Sequence, residues 1–159
     1  MNLYLIRHSI SENSSFNKKD FERELTDEGI FVIKNSATEW RKFIGKFDVI
    51  LTSPLERAVK TAELISPYLQ FQKNIIKENN LGTGSKTSDL IEIISAFDYD
   101  DIAVVGHQPD LSNHINNLCG KGIINLNFPP ASIAKIEFSG KVSYGTGKLI
   151  FILPPFTML

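Results

Sequence analysis

Cysteine occurs once in this chain, at Cys119, so no internal disulfide can form. That usage fits a reducing compartment, and we expect a cytoplasmic protein. Because Cys119 follows Leu118 on an expected helix, it reads as a buried, inert thiol rather than a reactive one. No apolar run approaches the roughly 18 residues that a bilayer span requires. The stretch from Met1 to Arg7 also lacks the basic start and long apolar core of a signal peptide. Charge of one sign is missing too: 17 Lys and Arg oppose 18 Asp and Glu, for a net charge of −1. With no long-range field to gather nucleic acid or an anionic membrane, any anion site must be local. No Cys/His or clustered-carboxylate spacing suggests a metal, and neither repeats nor a low-complexity linker divide the chain. No cofactor, nucleic-acid partner or membrane partner is therefore expected.

What is present is an ordinary globular composition, with 42% hydrophobic and 22% charged residues over 159 positions. That length suits one domain spanning 1–159, large enough to bury about 68–70% of its unfolded surface. Strand-like and helix-like segments alternate, which predicts an α/β fold: a mostly parallel central sheet flanked by helices in a three-layer sandwich. Leu3–Arg7 and Ile102–Gly106 are short, branched and apolar, as central strands covered on both faces are. Thr26 caps a helix expected to reach Gly45, with Ile30, Ile33, Ala37, Trp40 and Ile44 on its inner face. Val49–Thr52 reads as a strand. Ser53-Pro54-Leu55-Glu56 then combines a capping box with Pro at the first helical position, and Pro67 should close the helix it starts. Lys73–Lys77 reads as an edge strand, Asn79–Lys86 as an exposed loop placed to border a site, and Asp89–Phe97 as a helix. Pro109-Asp110 opens a helix bearing Leu111, Ile115 and Leu118. Ser132–Phe138 and Lys148–Leu153 complete the sheet.

Ligands of open α/β sheets sit beyond the carboxyl ends of the strands. Arg7 and His8 follow the first strand there, Ser53 and Arg57 the second, and His107 the strand at Ile102. Arg23, in Arg23-Glu24-Leu25-Thr26, adds another cation at a helix start. Guanidinium forks, amides at helix starts and a nearby imidazole are what a phosphoryl dianion requires. His8 is the expected nucleophile. Arg7 and Arg57 disfavour its protonation, and a backbone carbonyl is expected to hold its other ring nitrogen. His107 is expected to donate to a phosphate oxygen. His114, seven residues further on, reads as a surface or helix-packing residue.

In these motifs the chain resembles the histidine phosphatase superfamily, also called phosphoglycerate mutase-like, and most closely its small SixA-type phosphohistidine phosphatase branch. An Arg-His-Gly motif falls on Arg7, His8 and Ser9. A Ser-Pro-x-x-Arg-Ala-x-x-Thr pattern matches Ser53 to Thr61, a Gly/Ser-His pattern matches Gly106-His107, and an Arg-Pro-Leu-Thr segment matches Arg23 to Thr26. The resemblance implies a phosphoglycerate mutase-like fold, His8 as the phosphorylated residue, and phosphate binding by Arg7, Arg57, His107 and Arg23. Two positions depart from the pattern. Ser9 replaces Gly and puts a hydroxyl beside the phosphate, as an added donor or as an obstruction. Glu24 replaces Pro, which should loosen the backbone beside Arg23 and brings an anion close.

A general acid is the conspicuous gap. Glu78, in Lys77-Glu78-Asn79-Asn80, is the candidate, with Glu12 as an alternative, yet a solvated loop carboxylate is the simpler reading of Glu78. Phosphohistidine needs less assistance, because its imidazole leaving group has an ordinary pKa of about 6.5. A short chain without an inserted lid also suits a histidine on a protein surface. The expected activity is therefore hydrolysis of phosphohistidine on a signalling or phosphotransfer protein, with inorganic phosphate as product. A small-metabolite phosphomonoesterase and a non-catalytic phosphohistidine-binding module are the alternatives.

Overall fold

The computed structural model describes residues 1–69, 74–120 and 122–157. Its frame follows from two-sided burial of the strands. In β1 (Asn2–Arg7), Leu3 and Leu5 point to one face of the sheet and Tyr4 and Ile6 to the other, and none is more than 4% exposed. Alternation with both faces apolar can be satisfied only by covering both faces, and each side chain so buried contributes roughly 1.5–3 kcal/mol.

Tyr4 and Ile6 join β2 (Val49–Thr52), through Ile50, and β4 (Asp101–Gly106), through Ala103 and Val105, in one cluster. That cluster is completed by α1 (Asp27–Trp40) and α2 (Glu56–Ile65). Leu3 and Leu5 join Leu51, Ile102 and Val104 in the other cluster, under α3 (Thr87–Ser95) and α4 (Asp110–Cys119). The result is the three-layer α/β sandwich expected from the pattern. With β3 (Ile76–Lys77), β5 (Ile133–Glu137) and β6 (Lys148–Leu153), the strand order is β3-β2-β4-β1-β5-β6. The first four strands run parallel, β5 is antiparallel to β1, and β6 is antiparallel to β5 and so runs with the first four. The strands at Leu3 and Ile102 are central, as their apolar sequences predict.

Several boundaries differ from the sequence reading. Thr26 caps α1 by accepting from Gly29 N at 3.0 Å, but the helix stops at Trp40 instead of Gly45. There Lys42 N and Phe43 N bond three residues back, a tighter winding that still buries Ile44. Ile30 is only half-buried, and Val32 takes the deeper position. Helix α2 ends before Pro67 as expected. Only Ile76–Lys77 of the proposed edge strand is a strand, and Lys73 lies outside the described residues. The segment read as an exposed loop contains a short 3₁₀ turn, Asn79–Leu81, whose Leu81 is buried. Helix α3 is displaced by two residues toward the N-terminus. Cys119 is free but half-buried, and burial raises its thiol pKa.

The topology matters for function because the three central parallel strands finish level. Arg7 pairs with Gly106, and Thr52 with Val105. His8 N donates to Gly106 O at 3.1 Å and Ser53 N to Val105 O at 3.0 Å, so the residues leaving each strand emerge side by side.

Candidate active site

At this carboxyl edge Arg7, His8, Arg23, Arg57 and His107 line one crevice of about 410 Å³. Sequence reasoning assigned these five residues to a common site, and the fold brings them together. The floor is buried: His8 is 8% exposed, Arg57 5% and His107 3%.

The hydrogen bonds of the two histidines settle which nitrogen carries the proton. His8 Nδ1 lies 2.7 Å from Ser9 O, and a carbonyl only accepts, so Nδ1 is the N–H and Nε2 keeps its lone pair. This is the backbone carbonyl that the sequence reading required. His107 Nε2 lies 2.7 Å from Ser53 Oγ, and that oxygen already accepts from Leu55 N at 3.3 Å. Ser53 is fully buried, and among the described residues no other acceptor takes its hydroxyl proton, so it donates to Nε2 and the neutral His107 carries its N–H at Nδ1. The two rings sit 5.2 Å apart, centroid to centroid, at 55°.

Both imidazoles are held neutral. Burial is the main reason that His8 falls to about 4, with Arg57, Arg7 and Arg23 adding to the effect and the Ser9 carbonyl opposing it. The sequence reading credited the arginines alone; desolvation is larger. Burial also takes His107 to about 3, with help from His8 and Arg57.

Several donors in this floor lack partners. Arg7 Nε, Arg57 Nε and His107 Nδ1 are buried without a hydrogen bond among the described residues. Arg7 is anchored by its NH1, which donates to Phe128 O at 2.9 Å. Orphan buried donors cost free energy unless a ligand satisfies them. Three N–H groups on neighbouring cations and an imidazole call for an anion rich in oxygen.

Four sequence expectations are corrected. Ser53 is not the cap of α2, which begins at Glu56 after Leu55; its oxygen accepts from Leu55 N while its hydroxyl proton goes to His107. Ser9 is fully buried and donates to Gly29 O at 2.7 Å, so its hydroxyl is not offered to a phosphate. Neither Glu78 nor Glu12 lines the crevice; Glu12 instead pairs with Lys18 at 2.6 Å. Finally, Glu24 tightens the segment beside Arg23. Its N–H, which a Pro would lack, donates to Glu12 Oε2 at 3.0 Å, and its carbonyl accepts from Glu12 N at 2.9 Å.

One residue of the crevice escaped the sequence reading. Asp20, in a 3₁₀ turn at Asp20–Glu22, lines the crevice and accepts from both Arg57 and Arg23. Those guanidiniums hold its carboxyl below the ordinary value. The one sequence signal was the spacing of Asp20 three residues before Arg23. His114 is 1% exposed, which rules out a surface position, and it lies between Ser85 at 2.8 Å and Thr87 at 2.9 Å. It therefore ties the Gly84–Thr87 segment to α4, next to Thr83 on the crevice wall. Among the described residues, no group of three or more His, Cys, Asp and Glu could hold a metal, and no helix is long and apolar enough to cross a membrane.

Comparison with known proteins places this geometry in context. The sequence profile of the histidine phosphatase superfamily (branch 1) matches residues 3–82. An uncharacterized protein of Picosynechococcus is 32% identical over 149 residues, covering 84% of this chain and 88% of that protein. Among solved structures, the protein histidine phosphatase SixA complexed with tungstate superposes with a TM-score of 0.86, at 18% identity and 97% coverage of both chains. The alpha-ribazole phosphatase of Shigella flexneri superposes with a TM-score of 0.72, at 21% identity, covering 91% of this chain and 94% of its own. Profile and fold agree with the arginine and histidine motifs, and the chain is a phosphatase belonging to the histidine phosphatase superfamily, branch 1.

Proposed function

We propose that this phosphatase hydrolyses phosphohistidine on a protein, through a covalent phosphohistidine at His8. In the first step the Nε2 lone pair of His8 attacks phosphorus. The substrate ring enters protonated on its other nitrogen, so when its bond to phosphorus breaks it keeps the electron pair and leaves as neutral imidazole, while the phosphorylated His8 ring takes up the positive charge. In the second step water attacks the phosphoryl group on His8, releasing inorganic phosphate and restoring the neutral ring. Arg7, Arg57 and His107 supply donors to the phosphoryl oxygens, whose charge spreads in the transition state.

The observation that favours phosphohistidine over an ester is the crevice's single carboxylate. Among the described lining residues only Asp20 bears one, and Arg23 and Arg57 keep it ionised. An alkoxide leaving group needs a proton from a positioned acid, a contribution of about 10²–10⁴-fold, and an ionised carboxylate has none to give. Imidazole departs without that help. A crevice with no inserted lid among the described residues suits a side chain presented by a protein, in the cytoplasmic setting that a single free cysteine favours.

The test is a parallel assay on a phosphohistidine-bearing phosphotransfer domain, a phosphoserine peptide and a panel of alkyl phosphates, with acid-labile phosphate on His8 sought by mass spectrometry. Fast turnover of the first substrate alone, with label on His8, is the expected result. Comparable activity on an alkyl phosphate would move the assignment to a small-metabolite phosphomonoesterase. Binding of the phosphotransfer domain without turnover would indicate a binding module.

A further inference from the structure

Each nitrogen of the Arg23 guanidinium carries one hydrogen bond within the protein, which fixes the plane of the group and leaves one N–H on each terminal nitrogen. Nε donates to Glu12 O at 2.7 Å, NH1 to Asp20 Oδ1 at 2.9 Å and NH2 to Ser11 Oγ at 3.1 Å. Arg57 is engaged differently. Its NH1 donates to the backbone carbonyl of Asp20 at 2.7 Å and its NH2 to Asp20 Oδ2 at 3.1 Å, whereas its buried Nε has no partner among the described residues. One residue thus grips the terminal edge of the Arg57 guanidinium twice and leaves the Nε side unoccupied. The carboxylate that does so is itself braced, through its other oxygen, by Arg23.

A guanidinium is planar and rigid, so fixing two of its nitrogens fixes the direction of the third. Asp20 belongs to an exposed 3₁₀ turn, and its side chain is 58% exposed. Without Arg23 that carboxylate would be free to leave the buried Arg57 for water.

We propose that Asp20 is a positioning residue that aims the Nε side of Arg57 at the phosphoryl group, and that Arg23 acts through Asp20, whose other carboxylate oxygen it holds. The relay rests on the reading of Arg57 as a phosphoryl ligand. It also differs in sign from simple competition, in which Asp20 would occupy Arg57 until phosphate displaced it.

The experiment is a double-mutant cycle on an activated aryl phosphate, combined with calorimetric titration of inorganic phosphate, which requires no turnover. Asp20→Asn keeps the side-chain shape and is the principal variant; urea midpoints confirm that each protein is folded. A misplaced binding group can cost about 10²-fold, so Asp20→Asn should lower kcat/KM by about 10–100-fold and weaken phosphate binding, with Asp20→Glu recovering part of the loss. In an Arg57→Ala background the same substitution should change kcat/KM by less than about twofold, because residues acting through one another are not additive. Arg23→Ala should match Asp20→Asn, and the Arg23–Asp20 double variant should be no worse than either. Equal losses with and without Arg57, an unaltered kcat/KM in Asp20→Asn, or tighter phosphate binding by that variant would each overturn the relay. Full activity in Arg57→Ala would remove the assignment of Arg57 itself, and the relay with it.

Discussion

The hydroxyl of Ser53 lies 2.7 Å from His107 Nε2, joining the end of β2 to the residue that follows β4. The same oxygen is only 3.3 Å from Leu55 N, a weak contact at the start of α2. Its stronger bond therefore goes to the ring, where it leaves Nδ1 as the donor of His107.

If that is the role of Ser53, Ser53→Ala should injure activity more than stability. Loss of one hydrogen bond costs about 0.5–1.5 kcal/mol, and misassignment of the His107 tautomer should lower kcat/KM by about tenfold. The thermal midpoint should fall by a few degrees at most. Steady-state kinetics beside a melting curve decides the matter: a marked loss of stability with activity retained would mean that Ser53 serves as a helix cap after all.

The legibility of the site in the sequence follows the range over which its parts interact. Arg7, His8, Arg57 and His107 are adjacent to strand ends or helix starts, so local pattern places them at one edge of the sheet. Asp20 lies in a polar stretch without periodicity, and its bond to Arg57 spans 37 residues. Nothing local marks such a pair. Ser53 has a second role that is illegible for a related reason, since a capping box considers only the neighbouring amides, whereas the acceptor of the hydroxyl proton is 54 residues away. The three layers were legible because two-sided apolar strands demand two covering layers. The ends of α1 and α3 were not, because the last turn of a helix depends on which neighbours its carbonyls meet.

All three histidines should make the protein sensitive to mild acid. Burial lowers His8 to about 4, His107 to about 3 and His114 to about 4. The unfolded chain binds those protons near pH 6.5, so between pH 6.5 and 4 it holds more protons than the folded chain. Stability must then rise with pH in that window and be fully present above about pH 6.5. Each histidine that stays neutral contributes up to about 1.4 kcal/mol per pH unit. Urea titrations at pH 7, 6 and 5 should show a steadily falling midpoint, and His114→Asn should flatten the slope without touching the proposed phosphate ligands. A midpoint constant over this range would contradict neutral burial of the imidazoles.

Gly29 offers a test of how the nucleophile loop is supported. In an ordinary helix, Gly→Ala gains about 1 kcal/mol from propensity. Here a Cβ on Gly29 would come within 2.0 Å of Ile10 O and 2.9 Å of Ile10 C, both backbone atoms that no rotamer change can move aside. Gly29 O also accepts the Ser9 hydroxyl, and Ile10 O accepts Thr26 N at 3.0 Å, so the start of α1 and the chain after His8 are laced together. The clash should prevail: overpacking typically costs about 1–3 kcal/mol, and relief requires α1 and the His8–Ile10 segment to separate. Gly29→Ala should therefore lower both the urea midpoint and kcat/KM, the latter because His8 Nδ1 loses the fixed position of the Ser9 carbonyl that holds its tautomer. A stabilised Gly29→Ala protein with wild-type turnover would show that the loop and the helix are not coupled in this way.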